Sequence, residues 1–260
     1  MAGSGHQRAM KVEKIAPSVG DLRGIKLLRT LTDSELARIL AKLEVREFKA
    51  RTQVAADTEF PQRVGFILQG ACRFVALAPN GSSITMRAAR QGDTLGLPAA
   101  MLSHSWGGDL AHHVTRFVAD EATTLGLIKH AEFRALLADS PALVRAACDT
   151  VSAIHLDLSS RFYELATLDV RGRLLAELLR MAQRSEHIDG RLMIRSAPTH
   201  AELGDQIGAA REAVTRQLLD LEREGVISVR RREIVIEDYQ RLHALDEASA
   251  GRRIFISPEG

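Results

Sequence analysis

The chain has 260 residues, 45% of them hydrophobic and 26% charged, with a formal net charge of +2. This length and apolar content allow a substantial core, favour two domains over one and exclude a chain disordered throughout. No run approaches the roughly 18 apolar residues that cross a bilayer, and Met1 to Lys14 lack the apolar stretch of a secretory signal, so a cytoplasmic protein with no membrane partner is expected.

The two cysteines, Cys72 and Cys148, stand in no CxxC or Cys/His spacing. Neither a disulfide framework nor a cysteine-held zinc or iron–sulfur site is encoded, and both read as small core residues. From Thr199 to Arg241 there are seven Arg against nine Asp or Glu, so even the segment that carries the main motif is not basic overall. Any nucleic-acid function must rest on where the charges sit.

Residues 1–20 mix Gly, Ser, Pro and Lys without periodicity and read as a flexible arm. Leu36, Ile39, Leu40 and Leu43 then fall at helical spacing, with Thr32 or Asp33 as N-cap before Glu35. Short β-branched and apolar runs follow, punctuated by glycine and by the turn Pro79-Asn80-Gly81, which suggests an antiparallel barrel or jelly roll across residues 21–140.

Helical character returns at HAEFRALLADS, and a long helix is predicted over 141–168. Within it Val144, Cys148, Val151, His155, Leu158, Phe162 and Leu165 step alternately by four and three, a heptad seam flanked by Arg145, Asp149, Asp157 and Arg161. A narrow stripe of this kind predicts a dimer coiled coil. The other reading is a helix packed on its own domain. His155 reads as a seam residue rather than a metal ligand. From Asp169 a second domain is expected to 240, opening on the amphipathic helix VRGRLLAELLRMAQRSEHIDG, which ends in the loop around Asp189-Gly190, with RLMIRSA as a short strand and 241–260 as a C-terminal tail.

The informative segment is THAELGDQIGAAREAVTRQLLDLEREGVISVRRREIVI. Thr199 and Glu202 form a T-x-x-E capping box, Leu203 and Ile207 give the following short helix an apolar face, and Gly208 suits a sharp turn. A second helix follows with Val214, Leu218 and Leu221 inward and Gly225 as its stop. Two short helices about a glycine turn make a helix-turn-helix, and the second exposes Arg211, Glu212, Thr215 and Arg216 near its N-terminus, the end that enters the major groove. Arg can donate twice to guanine O6 and N7, Glu can accept from cytosine N4, and Thr can reach a phosphate or a thymine methyl. VISVRRREIVI reads as a two-stranded wing whose turn carries Arg230, Arg231 and Arg232 toward phosphates. A solvated helix followed by a plain hairpin is the bland alternative.

LDVRGRLLAELL after the long helix, the T-x-x-E-L/I-G-x-x-x-G run and REAVTR as an R-E-x-x-x-R edge resemble the cyclic-AMP receptor protein and fumarate–nitrate reduction regulator (CRP/FNR) family over residues 25 to 240. The resemblance implies an α+β fold: a cyclic-nucleotide-binding-like β-barrel (jelly roll), a dimerisation helix and a C-terminal winged helix-turn-helix. It implies a homodimeric transcription regulator whose Arg211, Glu212 and Arg216 read a TGTGA-like half-site repeated as an inverted palindrome, with double-stranded DNA and RNA polymerase as partners. Receptor-type members often have Arg after the capping Thr and Ser or Cys before the Arg-Glu pair; here stand His200, Ala209 and Ala210. Thr199 and His200 are nevertheless included in the DNA-contacting set.

At the sensor the chain departs further. Cyclic-AMP-binding members place a Glu after GD-x-x-G and an Arg-Ser or Arg-Thr pair for the cyclic phosphate; here Gly96 is followed by Leu97, and His113-Val114 stand where the pair would be. Ordinary cyclic-AMP binding is therefore not expected, and the effector is left open. Gly96, Leu97, His113, Val114 and Ser159, the last on the dimer helix, mark the position a ligand pocket would take. His104, His112 and His113 with Trp106 read as a polar surface loop, with a metal or haem as the second reading. The iron–sulfur branch uses N-terminal cysteines, and no cysteine precedes Cys72. A small-ligand sensor, for a cyclic nucleotide or haem, that acts through a protein partner is the competing function. No nucleophile–base pair, P-loop or dinucleotide motif supports an enzyme.

Overall fold

The computed structural model describes residues 17–54, 62–77, 83–102, 114–183, 185–188, 191–195, 197–231 and 233–250. The chain divides into two compact units, one formed within 1–72, 89–105 and 119–148, the other within 73–88, 106–118 and 149–260.

In the first unit, α1 (Val19–Arg23) and α2 (Asp33–Leu40) each begin on a capping box, Ser18 with Asp21 and Thr32 with Glu35. Between the two candidate caps for α2, Thr32 is used because its hydroxyl accepts the Glu35 N–H while the Glu35 carboxylate takes the Thr32 N–H. β1 (Glu44–Phe48) and β2 (Arg63–Gln69) follow, then β3 (Ala71–Leu77), β4 (Ser83–Arg90), β5 (Thr94–Leu95), α3 (Leu97–Met101), β6 (Val114–Ala119), β7 (Thr123–Lys129) and α4 (His130–Asp139). One sheet runs β1-β7-β2-β5, all antiparallel. Val64, Phe66, Ile67, Leu125, Leu127 and Ile128 are buried on its strands, and Leu22, Leu36, Ile39 and Phe133 come from the helices of the same unit.

A three-stranded sheet, β4-β3-β6, has most of its residues in the second unit. The expected barrel appears as these two open sheets, with no closed ring among the described residues. The arm expected over 1–20 is outside the described residues up to 16; at its end Ser18 already caps a helix, because Asp21 reaches back to it.

The predicted long helix is α5 (Pro141–Thr167), followed by α6 (Val170–Ala182), whose N-cap Asp169 accepts the Gly172 N–H at 2.8 Å. The chain continues through β8 (Glu186–Ile188), β9 (Arg191–Arg195), α7 (His200–Ile207), α8 (Arg211–Arg223), β10 (Ile227–Arg230), β11 (Glu233–Ile236) and α9 (Tyr239–Ala250). The wing hairpin β10-β11 belongs to a four-stranded antiparallel sheet ordered β10-β11-β9-β8. Leu174, Leu178, Leu203, Ile207, Val214, Leu218, Leu221, Ile227, Ile234 and Leu242 share one core.

Two expectations are corrected here. The run read as one helix to residue 189 ends at Ala182 and turns into β8, which pairs with β9. The segment from 241 is not a tail as far as 250: α9 buries Leu242 completely and Asp246 almost so, because α9 packs against α6.

Candidate nucleic-acid interface

The helix-turn-helix is built from local chemistry. Thr199 Oγ1 accepts the Glu202 N–H at 3.2 Å, and Glu202 Oε2 accepts the Thr199 N–H at 2.8 Å. Gly208 ends α7 with φ +62°, a left-handed conformation that L side chains rarely adopt. Gly204 lets the turn close: the Ala209 N–H donates to its carbonyl at 2.9 Å, and a Cβ on Gly204 would sit 2.5 Å from the Ala209 oxygen. Arg173 Nη1 donates to the Leu168 carbonyl at 2.8 Å, which fixes the turn between α5 and α6.

Helix α8 buries Val214, Leu218 and Leu221 and turns Arg211, Glu212 and Arg216 outward. These three side chains are exposed and have no side-chain hydrogen bond or ion pair among the described residues. Other cations nearby are engaged: Arg223 pairs with Asp220 at 3.2 Å, and Arg171 Nη2 meets both Glu224 oxygens at 2.7 and 2.8 Å. The N-cap Ala210 has no side chain able to cap the first-turn N–H groups of α8.

Thr215 is half-buried: its hydroxyl donates to the Arg211 carbonyl at 2.9 Å and lies 2.8 Å from His200 Nδ1, so it ties α8 to α7. The Thr199 hydroxyl is likewise held in the capping box, donating to Glu202 Oε2 at 3.0 Å.

In the wing, Arg230 and Arg231 are exposed, and Arg232 lies outside the described residues. Glu222 anchors the wing to α8 by accepting the Val229 N–H at 2.7 Å. β9 adds a cation that sequence reasoning missed: Arg195 is exposed and in register with Glu233, itself opposite Arg230. Only the strand pairing puts Arg195 beside the wing. A cavity of about 480 Å³ opens here, lined by Thr199, His200, Arg211, Arg230 and Glu233 among others.

On α5, Val144 (38% exposed), Phe162 (73%) and Leu165 (43%) leave apolar surface open, Cys148 and His155 are exposed, and Val151 and Leu158 are half-buried. The buried positions of the helix are others, Leu143, Ala147 and Glu164. Asp157 and Arg161, which flank the seam, are drawn into an ion network: Arg161 is 3.2 Å from Asp157 and 3.4 Å from Glu177.

Of the sensor positions, Leu97 is a fully buried core side chain and Gly96 a left-handed N-cap, both in the first unit, and Ser159 is exposed on α5 in the second. His104, Trp106, His112 and His113 lie outside the described residues, as does the side chain of Val114. Among the described residues no group of three or more His, Cys, Asp or Glu could hold a metal ion, and no helix is long and apolar enough to cross a membrane.

A capped helix, a glycine turn, an outward cationic helix edge and a wing define a winged helix-turn-helix DNA-binding protein. The family model for the Crp-like helix-turn-helix domain matches residues 172–245. Transcriptional regulator LdrP of Thermus thermophilus is 31% identical over 186 residues, covering 71% of this chain and 83% of its own. The cAMP-activated global transcriptional regulator CRP of Salmonella typhimurium is 24% identical over 208 residues, 79% of this chain and 95% of its own. The fold is shared with FixK2 from Bradyrhizobium japonicum at a TM-score of 0.67 and 21% identity, covering 78% of this chain and 97% of that one. The chain belongs to the CRP/FNR family of transcription regulators. Its relatives are regulators, not enzymes.

Proposed function

We propose that the chain acts as a homodimer that reads a TGTGA-like inverted repeat in the major groove, with Arg211 and Arg216 donating to guanine edges and Glu212 accepting from cytosine. The observation that carries this reading is the exposed, unpartnered state of these three side chains on the first two turns of α8. Pairing of α5 with a second copy covers the open Val144, Phe162 and Leu165 stripe, and two-fold symmetry then sets the palindrome. The protein works in the cytoplasm and meets RNA polymerase at its sites. Cyclic AMP is not its ordinary effector, since Leu97 stands where a carboxylate would hold the ribose and is sealed in the core.

Analytical ultracentrifugation of the chain with a labelled duplex tests this. Two chains per duplex are expected on an inverted repeat. Moving the half-sites apart by half a helical turn, roughly 5 bp, should abolish tight binding. One chain per duplex, with no dependence on half-site spacing, would contradict the reading.

A further inference from the structure

We propose that the second unit holds a binding site for a small organic acid, a carboxylate on a short apolar chain, in a cavity of about 260 Å³ walled by β4, α5, α6 and α7. Three side-chain atoms that solvent does not reach, Thr85 Oγ1 from β4, Arg173 Nε from α6 and Gln206 Oε1 from α7, have no hydrogen-bond partner among the described residues. All three residues line this cavity, and Thr85 is only 3% exposed. A polar atom buried and left unpaired forfeits its hydration without return, and folded chains carry few of them. Three such atoms, brought by three separate elements to one concave space, mark a place where a bound molecule supplies the partners.

The charge of the walls selects an anion. The charged residues lining the cavity are Arg161, Glu164, Arg173 and Arg180. Arg180 holds both Glu164 oxygens and donates to Glu177, and Arg161 is shared between Asp157 and Glu177, so these groups answer one another. Arg173 is the exception. It donates only to carbonyls, Leu168 at 2.8 Å and Gly208 at 3.4 Å, and has no carboxylate partner among the described residues. A ligand carboxylate accepts charge-assisted hydrogen bonds from Arg173 Nε and from the Thr85 hydroxyl, while a half-turn of the Gln206 amide offers its NH2 to the same group. Much of the remaining wall is apolar, with Met86, Leu158, Phe162 and Leu165 placed to cover a hydrocarbon chain. The volume takes on the order of nine water-sized groups, which bounds the length of that chain. Ser159, the described sensor position in this unit, does not line the cavity.

Equilibrium dialysis of the full chain against labelled hexanoate, an acid of that size, tests the site. Uptake should saturate at one hexanoate per chain, and hexan-1-ol, which keeps the chain without the charge, should not displace it. Thr85→Val keeps the shape of the side chain and removes the hydroxyl; it should weaken hexanoate binding by about tenfold or more and yet melt no lower than wild type, because the lost hydroxyl had no partner to forfeit. Gln206→Glu sets a carboxylate of the protein's own on the cavity wall and should exclude hexanoate from the folded chain. Absence of saturable uptake by wild type, displacement by hexan-1-ol as effective as by unlabelled hexanoate, or wild-type affinity in both variants would overturn the proposal. A marked fall in the melting temperature of Thr85→Val would overturn it as well, since the hydroxyl would then be engaged in the free protein.

Discussion

Arg180 of α6 grips Glu164 of α5 with both ends of its guanidinium, Nη1 to Oε1 at 2.7 Å and Nη2 to Oε2 at 3.0 Å, while its Nε donates to Glu177 at 2.9 Å. Burial opposes the Arg180 charge, but the Glu177 and Glu164 carboxylates outweigh it and hold the guanidinium firmly protonated, its pKa raised. Glu164 and Glu177 are each 4% exposed. The network joins the end of the long helix to the first helix of the DNA-binding domain. Arg180→Ala leaves two buried carboxylates short of a cation and should cost about 3–5 kcal/mol of stability. Urea denaturation checks this; a loss below about 1 kcal/mol, the scale of an exposed pair, would show the network to be incidental.

The helix-turn-helix turn makes a sharper prediction. A methyl on Gly204 would meet the backbone oxygen of Ala209 at 2.5 Å, and backbone cannot swing aside as a side chain can. Gly204→Ala should destabilise the chain by about 1–3 kcal/mol and weaken DNA binding beyond what its stability loss explains, because α8 is displaced. Thermal melting and anisotropy on the same preparation separate the two effects.

The two cysteines should behave differently toward a thiol reagent. Burial first, and then the Asp120 charge, push the Cys72 thiol up to about 12, so it is both hidden and protonated. Cys148 is exposed on the seam of α5. In the native protein only Cys148 should be modified, and its rate should fall as protein concentration rises and the seam is covered. Mass spectrometry after timed labelling reports both. A Cys148 rate independent of concentration, over a range where ultracentrifugation shows the dimer forming, would place the interface elsewhere.

His130 supplies a pH dependence of stability. Burial lowers its pKa from 6.5, against a hydrogen bond to the Arg63 backbone that raises it and with the Arg134 charge lowering it further. Below pH 6.5 the unfolded chain takes a proton that the folded chain resists, so stability is whole above that value and falls as pH drops beneath it. Glu35 and Glu44, held below 4.5 chiefly by hydrogen bonds from Ser140 and from Arg46, lose their contribution only in a more acid window. Urea midpoints taken on either side of pH 6.5 should show the decline in wild type and a smaller one in His130→Gln. Equal declines would remove His130 as the cause.

What the sequence made legible was what local spacing determines. Thr199 to Glu202 and Gly208 define a helix and its turn within ten residues, and the structure carries both features. The seam of α5 was visible as a pattern; its side chains are exposed or half-buried, as are the non-seam Leu156 and Tyr163 on the same helix. What was hidden depends on partners distant in sequence. Thr215 reads as an open position on the α8 edge, and only the fold brings His200, on the other helix, to its hydroxyl. Arg161 reads as a flank of the seam, and only the fold brings it Glu177, 16 residues on. α9 escaped notice because Leu242 and Asp246 are its only buried positions among the described side chains, too few to print an apolar stripe. Arg195 joins the wing only through the pairing of β9 with β11.

The most direct measurement of the account is the affinity of wild type, Arg211→Ala and Arg216→Ala for a duplex bearing the TGTGA inverted repeat, against a duplex with its guanines replaced. Each substitution should cost about 1–3 kcal/mol on the repeat and little on the altered duplex, because a side chain that reads a base loses only specific binding. If both variants keep wild-type affinity for the repeat, Arg211 and Arg216 do not read DNA.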